Sequence, residues 1–515
     1  MKHKNYFLAL LSGLLLILVF PKFNYEILAW VALVPLFWAI RGKSPTQAAF
    51  LGLITGFVSF TGILYWIQVV LTQYGNLPAP ISLMIVLVLT SYLGLYIAAF
   101  AFFLNWFQEK TQITPVILGP SLWVSFEYLR GIFLSGFPWE MLGYSQFQNL
   151  SMIQIADITG VYGVSFMVVL VNATLYRMAE GVRERRWKLS FQEITVVGIV
   201  LAVCGIYGYF RLAELSTIFS EKKSYKVAVV QGNIRQDIKW DAQFQEETIK
   251  IYADLTRGLQ LDYPDLIIWP ETAAPFFFQN ATPLQSGIMD LTHQMNAPFI
   301  LGAPASERKG PRIHLFNSAF LVSPEKKIVG RYDKVHLVPF GEYAPLAGLL
   351  GFTGGIIGAM GDFTPGPGVY PLSLRWGKFG VLICYEAIFP NLTRKFVGQG
   401  GKFLVNITND AWFGRTAAPY QHFSMVALRA VENRVFIARA ANTGISGIID
   451  PSGRITKASG LFTREAFSDK IYLNAAPTFY TQFGDLFSYL CIGFTIAILI
   501  LLRLPRGHRV ERNSK

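Results

Sequence analysis

The stretch FGVLICYEAIFP (379–390) decides how the polar half of this 515-residue chain folds. Phe379 to Ile383 is a short apolar run without helical period, as expected of a strand buried on both faces. It ends on Cys384 and Glu386, two chemically capable groups. In a sheet of parallel strands the carboxyl ends are where ligands collect, so a thiol at this position has a place to act.

Two other segments share this form. IIWPE (267–271) ends on Glu271, and GRYDKVHLVPFGEY (330–343) carries Lys334 and Glu342. Around them, strands are expected at Lys226 to Gly232, Asp265 to Pro270, Pro298 to Gly302, Leu315 to Val322, Lys327 to Tyr332, Phe379 to Ile383, Lys402 to Thr408, and Phe436 to Asp450 with breaks at Asn442 and Gly444. Helical stretches lie between, notably Gln243 to Gln260 and Tyr420 to Val435. Strands alternating with helices give an α/β domain of roughly 250 residues whose sheets are covered by helices.

Each candidate residue also has a plainer reading. A cysteine closing a strand serves as a small buried hydrophobe. Glu271 after Trp269-Pro270 could sit at a helix N-terminus, and Lys334 could be a surface partner of Asp333. A carboxylate, an ammonium and a thiol at three strand ends in order nonetheless make a nucleophilic site. His336 keeps a second arrangement open: a Cys/His dyad is common, and in a strand residues 334 and 336 share a face.

Outside this domain the chain is apolar. Stretches suited to a bilayer run from about Tyr6 to Phe20, Ile27 to Ile40, Ala48 to Val70, Ile81 to Phe107, Pro115 to Leu129, Gly160 to Met178, Ile194 to Phe210 and Phe487 to Leu504, which makes eight expected spans. The first, second and fifth fall short of the roughly 20 residues of a full crossing. Lys2 and Lys4 also suit the start of a signal peptide, but no small-residue cleavage site precedes Pro21, so the first span is read as retained. Glu127 and Arg130, one helical turn apart, read as a paired structural charge. Domains are expected at 1–212 (seven spans), 213–486 (catalytic) and 487–515 (an eighth span and basic tail).

Composition agrees: 52% of residues are hydrophobic and 15% charged, with mean hydropathy +0.39, which excludes a wholly soluble, disordered or fibrous protein. Net charge is +13. Between Ala213 and Leu486 there are 27 Lys/Arg and 23 Asp/Glu, so that span carries +4 and the remaining +9 flanks the apolar segments. The excess is topogenic, and no nucleic-acid partner is expected. With the N-terminus inside, 15 basic residues fall in inside segments and only Lys22 and Arg130 in short outside loops, placing both termini inside and the large domain outside. Of three cysteines, Cys204 and Cys491 lie in apolar runs, so a disulfide scaffold is excluded.

The ordered set WPE, DKxHLVPFGEY and ICYE closely resembles the three catalytic segments of the nitrilase superfamily, over roughly Lys226 to Asp469, and the flanking spans resemble its membrane-embedded, lipoprotein-acylating branch. The resemblance implies an αββα sandwich and a Glu-Lys-Cys triad: Glu271 the general base, Lys334 the electrophilic stabiliser, Cys384 the nucleophile. Glu342 would orient the triad, Tyr385 and Glu386 would support it, and Trp240 and Trp412 would line an acyl pocket. It further implies a multi-pass protein of the bacterial inner membrane with its catalytic domain in the periplasm. The implied reaction moves an acyl chain from a phospholipid, through a cysteine thioester, to the α-amine of the diacylglyceryl-cysteine of an apolipoprotein. No cofactor or metal is expected: there is no Walker-type GKS or GKT loop and no HExxH pair. A membrane-tethered amidase, in which water resolves the thioester, is the alternative, and a catalytically dead transporter or assembly factor is a third reading that the intact Glu/Lys/Cys set opposes.

The thiol is expected to be lowered by a neighbouring ammonium, with a carboxylate ready to take its proton. Leu346 to Met360 (LAGLLGFTGGIIGAM) is apolar and glycine-rich, and reads as an arm gating acyl entry, within a stretch (346–362) whose conformation the resemblance does not supply. Phe276, Phe277 and Phe278 are expected to form a second membrane-facing edge.

Overall fold

The structure is a computed structural model and describes residues 2–111, 113–184, 187–343, 363–473 and 476–503. The arm at 346–362 lies outside them. Among the described residues five helices are long and apolar enough to cross a membrane: Pro45–Leu64, Ala79–Lys110, Val161–Glu184, Phe191–Leu215 and Leu486–Arg503. The other expected spans form shorter or less apolar helices. Lys2–Leu18 has 17 residues, the second stretch breaks into Glu26–Trp30 and Val34–Ile40, and Pro115–Ile132 carries Glu127 and Arg130 in its last turns.

Glu127 and Arg130 do not pair directly. Both turn to the loop that follows their helix, whose polar backbone would otherwise be buried without partners. Glu127 Oε1 accepts from Leu142 N (2.7 Å) and Trp123 Nε1 (3.3 Å). Arg130 donates to the carbonyls of Trp139 (2.7 Å) and Phe137 (3.2 Å).

In the α/β half the strands are β1 Ser224–Gln231, β2 Leu266–Ile268, β3 Phe299–Lys309, β4 Arg312–Ser323, β5 Lys327–Asp333, β6 Leu372–Leu374, β7 Gly377–Ile383, β8 Phe403–Thr408, β9 Ile437–Ala441, β10 Gly447–Ile449, β11 Ile455–Ala458 and β12 Glu465–Tyr472. They make two six-stranded sheets, ordered β12-β1-β2-β3-β4-β5 and β11-β10-β9-β8-β7-β6. The central strands β1, β2 and β3 run parallel, as do β7, β8 and β9. Three strands were not expected from sequence: β6, β11 and β12. Their burial is mixed, so no apolar run announces them.

Alternation of side chains builds the layers. Val227, Val229, Leu266, Ile268 and Ile300 share one core with Val381, Ile383, Val405 and Ile407 of the second sheet. Their neighbours Ala228, Val230, Ile267, Trp269 and Leu301 instead pack with Ile249, Tyr252, Ile288 and Leu291 of the helices Gln245–Arg257 and Pro283–Met295. Helices Pro390–Gly398 and Ala418–Asn433 follow strands of the second sheet. The result is the expected αββα sandwich.

The inter-sheet core continues into Trp139, Tyr144 and Val161 of the helical half. Gln421, on helix Ala418–Asn433, fastens the two: its Oε1 accepts from Trp139 Nε1 (2.8 Å) and Trp66 Nε1 (3.2 Å), while Nε2 donates to Pro21 O (3.0 Å) and Ile63 O (3.2 Å). Arg434 at the other end of that helix meets Asp157 (2.8 Å).

Candidate active site

β7 runs extended to Ile383 and then turns sharply, because Cys384 has φ +52°, in the left-handed region. For a residue with a Cβ this costs about 1–2 kcal/mol. Two contacts hold it: Glu386 accepts from Ile383 N (2.8 Å), and His422 Nε2 meets the Cys384 carbonyl (3.2 Å). His422 Nδ1 lies between Asp410 Oδ1 (3.0 Å) and Arg439 (3.1 Å), so the ring is fixed at both nitrogens. Arg439 also reaches Asp410 (2.7 Å). Burial alone would raise Asp410, but Arg439 and His422 outweigh it and hold it at about 2.

The expected triad comes together from three strand ends. Lys334, just past β5, is buried with its Nζ 2.8 Å from Glu342 and 4.0 Å from Glu271. Burial opposes its charge, yet the two carboxylates raise its pKa above the ordinary lysine range. It is therefore not a surface partner of Asp333, which instead meets Arg331 (2.7 Å) and Ser318 (2.5 Å). Glu271 occupies a turn after β2 rather than a helix N-terminus. Its Oε1 accepts from Asn317 Nδ2 (2.7 Å) and its Oε2 from Asn409 N (2.8 Å). Asn317 Nδ2 also donates to Glu342 (2.9 Å), so one amide spaces both carboxylates.

Electrostatically, Glu271 is raised by burial, with Lys334 opposing. Cys384 is pushed up as well, first by burial and then by the Glu271 charge, against Lys334. This corrects the expectation of a lowered thiol. Desolvation outweighs the ammonium, so the resting site holds a neutral thiol beside a base.

His336 does not form a dyad. β5 stops at Asp333, so residues 334 and 336 lie in a bend instead of on one strand face. The His336 ring packs on Phe389 (3.8 Å between centroids). Burial and Lys334 lower it to about 4, which leaves it neutral.

Glu386 braces from behind: its Oε1 accepts from Val335 N (2.8 Å), Tyr332 OH (2.9 Å) and His336 N (3.2 Å), tying the lysine segment to the cysteine turn. Tyr385 is buried against His336 and Phe389. Trp412 packs edge-on to Tyr74 of the helical half (5.0 Å), and Trp240 is 38% exposed. Phe278 is fully buried and packs on Phe320 (5.4 Å), so the expected edge of three phenylalanines reduces to Phe277 as the exposed member.

Sequence reading missed Asn317, Asn409 and Lys239. Asn317 interrupts an apolar run in β4, a signal that was available. Lys239 is 1% exposed and donates to the Glu271 carbonyl (3.1 Å). Nothing in its exposed-looking neighbourhood announces that burial.

Comparison with known proteins follows the same division. The profile described as Apolipoprotein N-acyltransferase N-terminal domain matches residues 12–174, and Carbon-nitrogen hydrolase matches residues 226–476. A relative from Geobacter metallireducens, described as Apolipoprotein N-acyltransferase, is 44% identical over 501 residues, covering 97% of this chain and 95% of that protein. One of the same description from Pasteurella multocida is 32% identical, covering 99% and 97%. A solved amidase from Nesterenkonia sp. superposes with TM-score 0.37 at 18% identity, covering 50% of this chain and 92% of its own.

Proposed function

This chain belongs to the apolipoprotein N-acyltransferase family, and from that premise we propose that Glu271, Lys334 and Cys384 carry an acyl chain from a phospholipid to the α-amine of a diacylglyceryl-cysteine. The observation that carries the reading is the buried meeting of Glu271, Lys334 and Cys384 past three strand ends, in a chain whose helical half holds helices long enough to cross a bilayer.

Cys384 attacks the ester carbonyl while its proton passes to Glu271. The oxyanion is met by Lys334 and the N–H of Tyr385, donors in place before the reaction. Collapse breaks the C–O bond; Glu271 returns its proton to the leaving alkoxide, a lysophospholipid departs, and a thioester remains. The acceptor amine then adds to the thioester carbonyl and gives a proton to Glu271. The C–S bond breaks, the sulfur recovers that proton, and the product is an amide. Glu342 orients Lys334, Glu386 and Tyr385 support the cysteine turn, and Trp240 and Trp412 flank the acyl path.

The same reading divides the chain into 1–212, 213–486 and 487–515, in the bacterial inner membrane with the catalytic domain in the periplasm. The bias of basic residues supports that orientation.

The test uses the full chain. Intact-protein mass after incubation with phospholipid is expected to show one acyl equivalent, which Cys384→Ser abolishes and a diacylated lipopeptide with a free α-amine removes. Release as free fatty acid would instead favour the amidase. Appearance of lysophospholipid only when both substrates are present would overturn the thioester route. A reporter after Lys515 is expected to read cytoplasmic and one near Lys309 periplasmic.

A further inference from the structure

The charges around the thiol do not stop at the triad. Glu271 and Glu342 are two carboxylates, and Lys334 answers one of them directly at 2.8 Å. The second ammonium is Lys239, buried, with its Nζ 3.1 Å from the Glu271 main-chain oxygen and in electrostatic contact with Glu271 and Cys384. Its segment is pinned at several points. Asn233 N donates to Asn442 O (2.9 Å), Ile234 N to Asn442 Oδ1 (2.8 Å), and the Gln236 amide accepts from Asn409 (2.7 Å). Asn409 in turn donates its N–H to Glu271. The segment leading into Lys239 is thus fixed to the same Asn409 that holds Glu271, and the Lys239 side chain reaches the Glu271 carbonyl.

We propose that Lys239 is a positioning residue that fixes the Glu271 turn through its carbonyl and supplies the positive charge beside which the Cys384 proton crosses to Glu271. When that proton moves, negative charge passes from the carboxylate to the sulfur. Lys334, 2.8 Å from Glu342 and 4.0 Å from Glu271, is the first cation of the site, and Lys239 is a second that acts on both Glu271 and Cys384. A neutral group in its place leaves Glu342 and one further negative charge, passing from Glu271 to the Cys384 sulfur, facing one ammonium in a site with little water to screen them. The titratable groups facing Lys239 from other elements are Glu271 and Cys384; on its own segment Arg235, Asp237 and Asp241 are exposed.

Burial lowers Lys239 to about 8 against the pull of Glu271 and Cys384. The sign follows: the ammonium is present below that pH and lost above it. The inference rests on the thioester reading, and the experiment separates the two. Acyl-enzyme formation by the full-length enzyme from a phospholipid is followed from pH 5 to 10 in wild type, Lys239→Arg and Lys239→Met, with melting of each as a folding control. Wild type is expected to slow as pH rises through about 8. Lys239→Arg moves that fall to higher pH because a guanidinium keeps its charge. Lys239→Met slows the step roughly 10- to 100-fold and moves the acid limb upward, since Glu271 loses a cation that favours its ionised form. If wild type shows no fall near pH 8, or Lys239→Arg leaves it in place, the inference is overturned; where Lys239→Met does not fold, those two results decide. Absence of any acyl-enzyme in wild type would sink the thioester reading itself.

Discussion

A base and a nucleophile placed together in a low-dielectric site need their proton held on the right partner until substrate arrives. Here burial raises both Glu271 and Cys384, so the thiol keeps its proton at rest and Glu271 is made a stronger base for taking it. Asn317 keeps Glu271 and Glu342 apart by donating to both, which lets Lys334 serve the two of them. His336, the alternative base, is excluded on geometry and charge together. Its folded pKa of about 4 lies below the ordinary histidine value. Between those values the unfolded chain takes up a proton that the folded one refuses, so His336 contributes stability above the ordinary value that is lost as pH falls through about 4. His336→Phe, which keeps a ring against Phe389, is therefore expected to form acyl-enzyme at near the wild-type rate. Its melting temperature is expected to fall less than wild type's between pH 7 and 4.5. A folded but inactive His336→Phe would restore the dyad.

At the scale of elements, the site depends on short parallel strands stopping level with one another. β2 has three residues, and the turn that follows it is pressed against β3 at Gly302. A Cβ there would sit 2.5 Å from Thr272 N and 2.6 Å from Glu271 Cα, backbone atoms that cannot swing aside. Gly302→Ala is expected to displace Glu271, lowering acyl-enzyme formation on the order of 100-fold for a shift of about 1 Å. The overpacking itself costs about 1–3 kcal/mol. Wild-type activity in a folded Gly302→Ala would show that the turn has slack. The strand ends that carry Glu271, Lys334 and Cys384 were legible because apolar runs such as Val381–Ile383 stop abruptly at polar groups. Lys239, Asn409 and Asn442 were not, since they are joined by contacts more than 30 residues apart that no local pattern encodes. β11 and β12 escaped for the opposite reason, as strands without a uniformly buried face.

The whole molecule joins its halves through the same helix that braces the nucleophile. Gln421 uses all its amide hydrogen-bonding capacity on Trp66, Trp139, Pro21 and Ile63 of the helical half, and the next residue, His422, supports the Cys384 carbonyl. Trp139 lies between the two, 5.8 Å from the His422 ring. Position in the membrane and shape of the cysteine turn are thus tied through two adjacent side chains. Gln421→Ala leaves two indole N–H groups without acceptors in an apolar layer, each costing about 1–3 kcal/mol, and frees the start of the helix from its anchor. Its melting temperature and its rate of acyl-enzyme formation are expected to fall together. Lys326→Ala, which breaks an exposed ion pair with Asp290, is expected to change neither measurably. Should Gln421→Ala melt like wild type and acylate normally, the junction is a passive seam, and the strained turn at Cys384 is held by the α/β half alone.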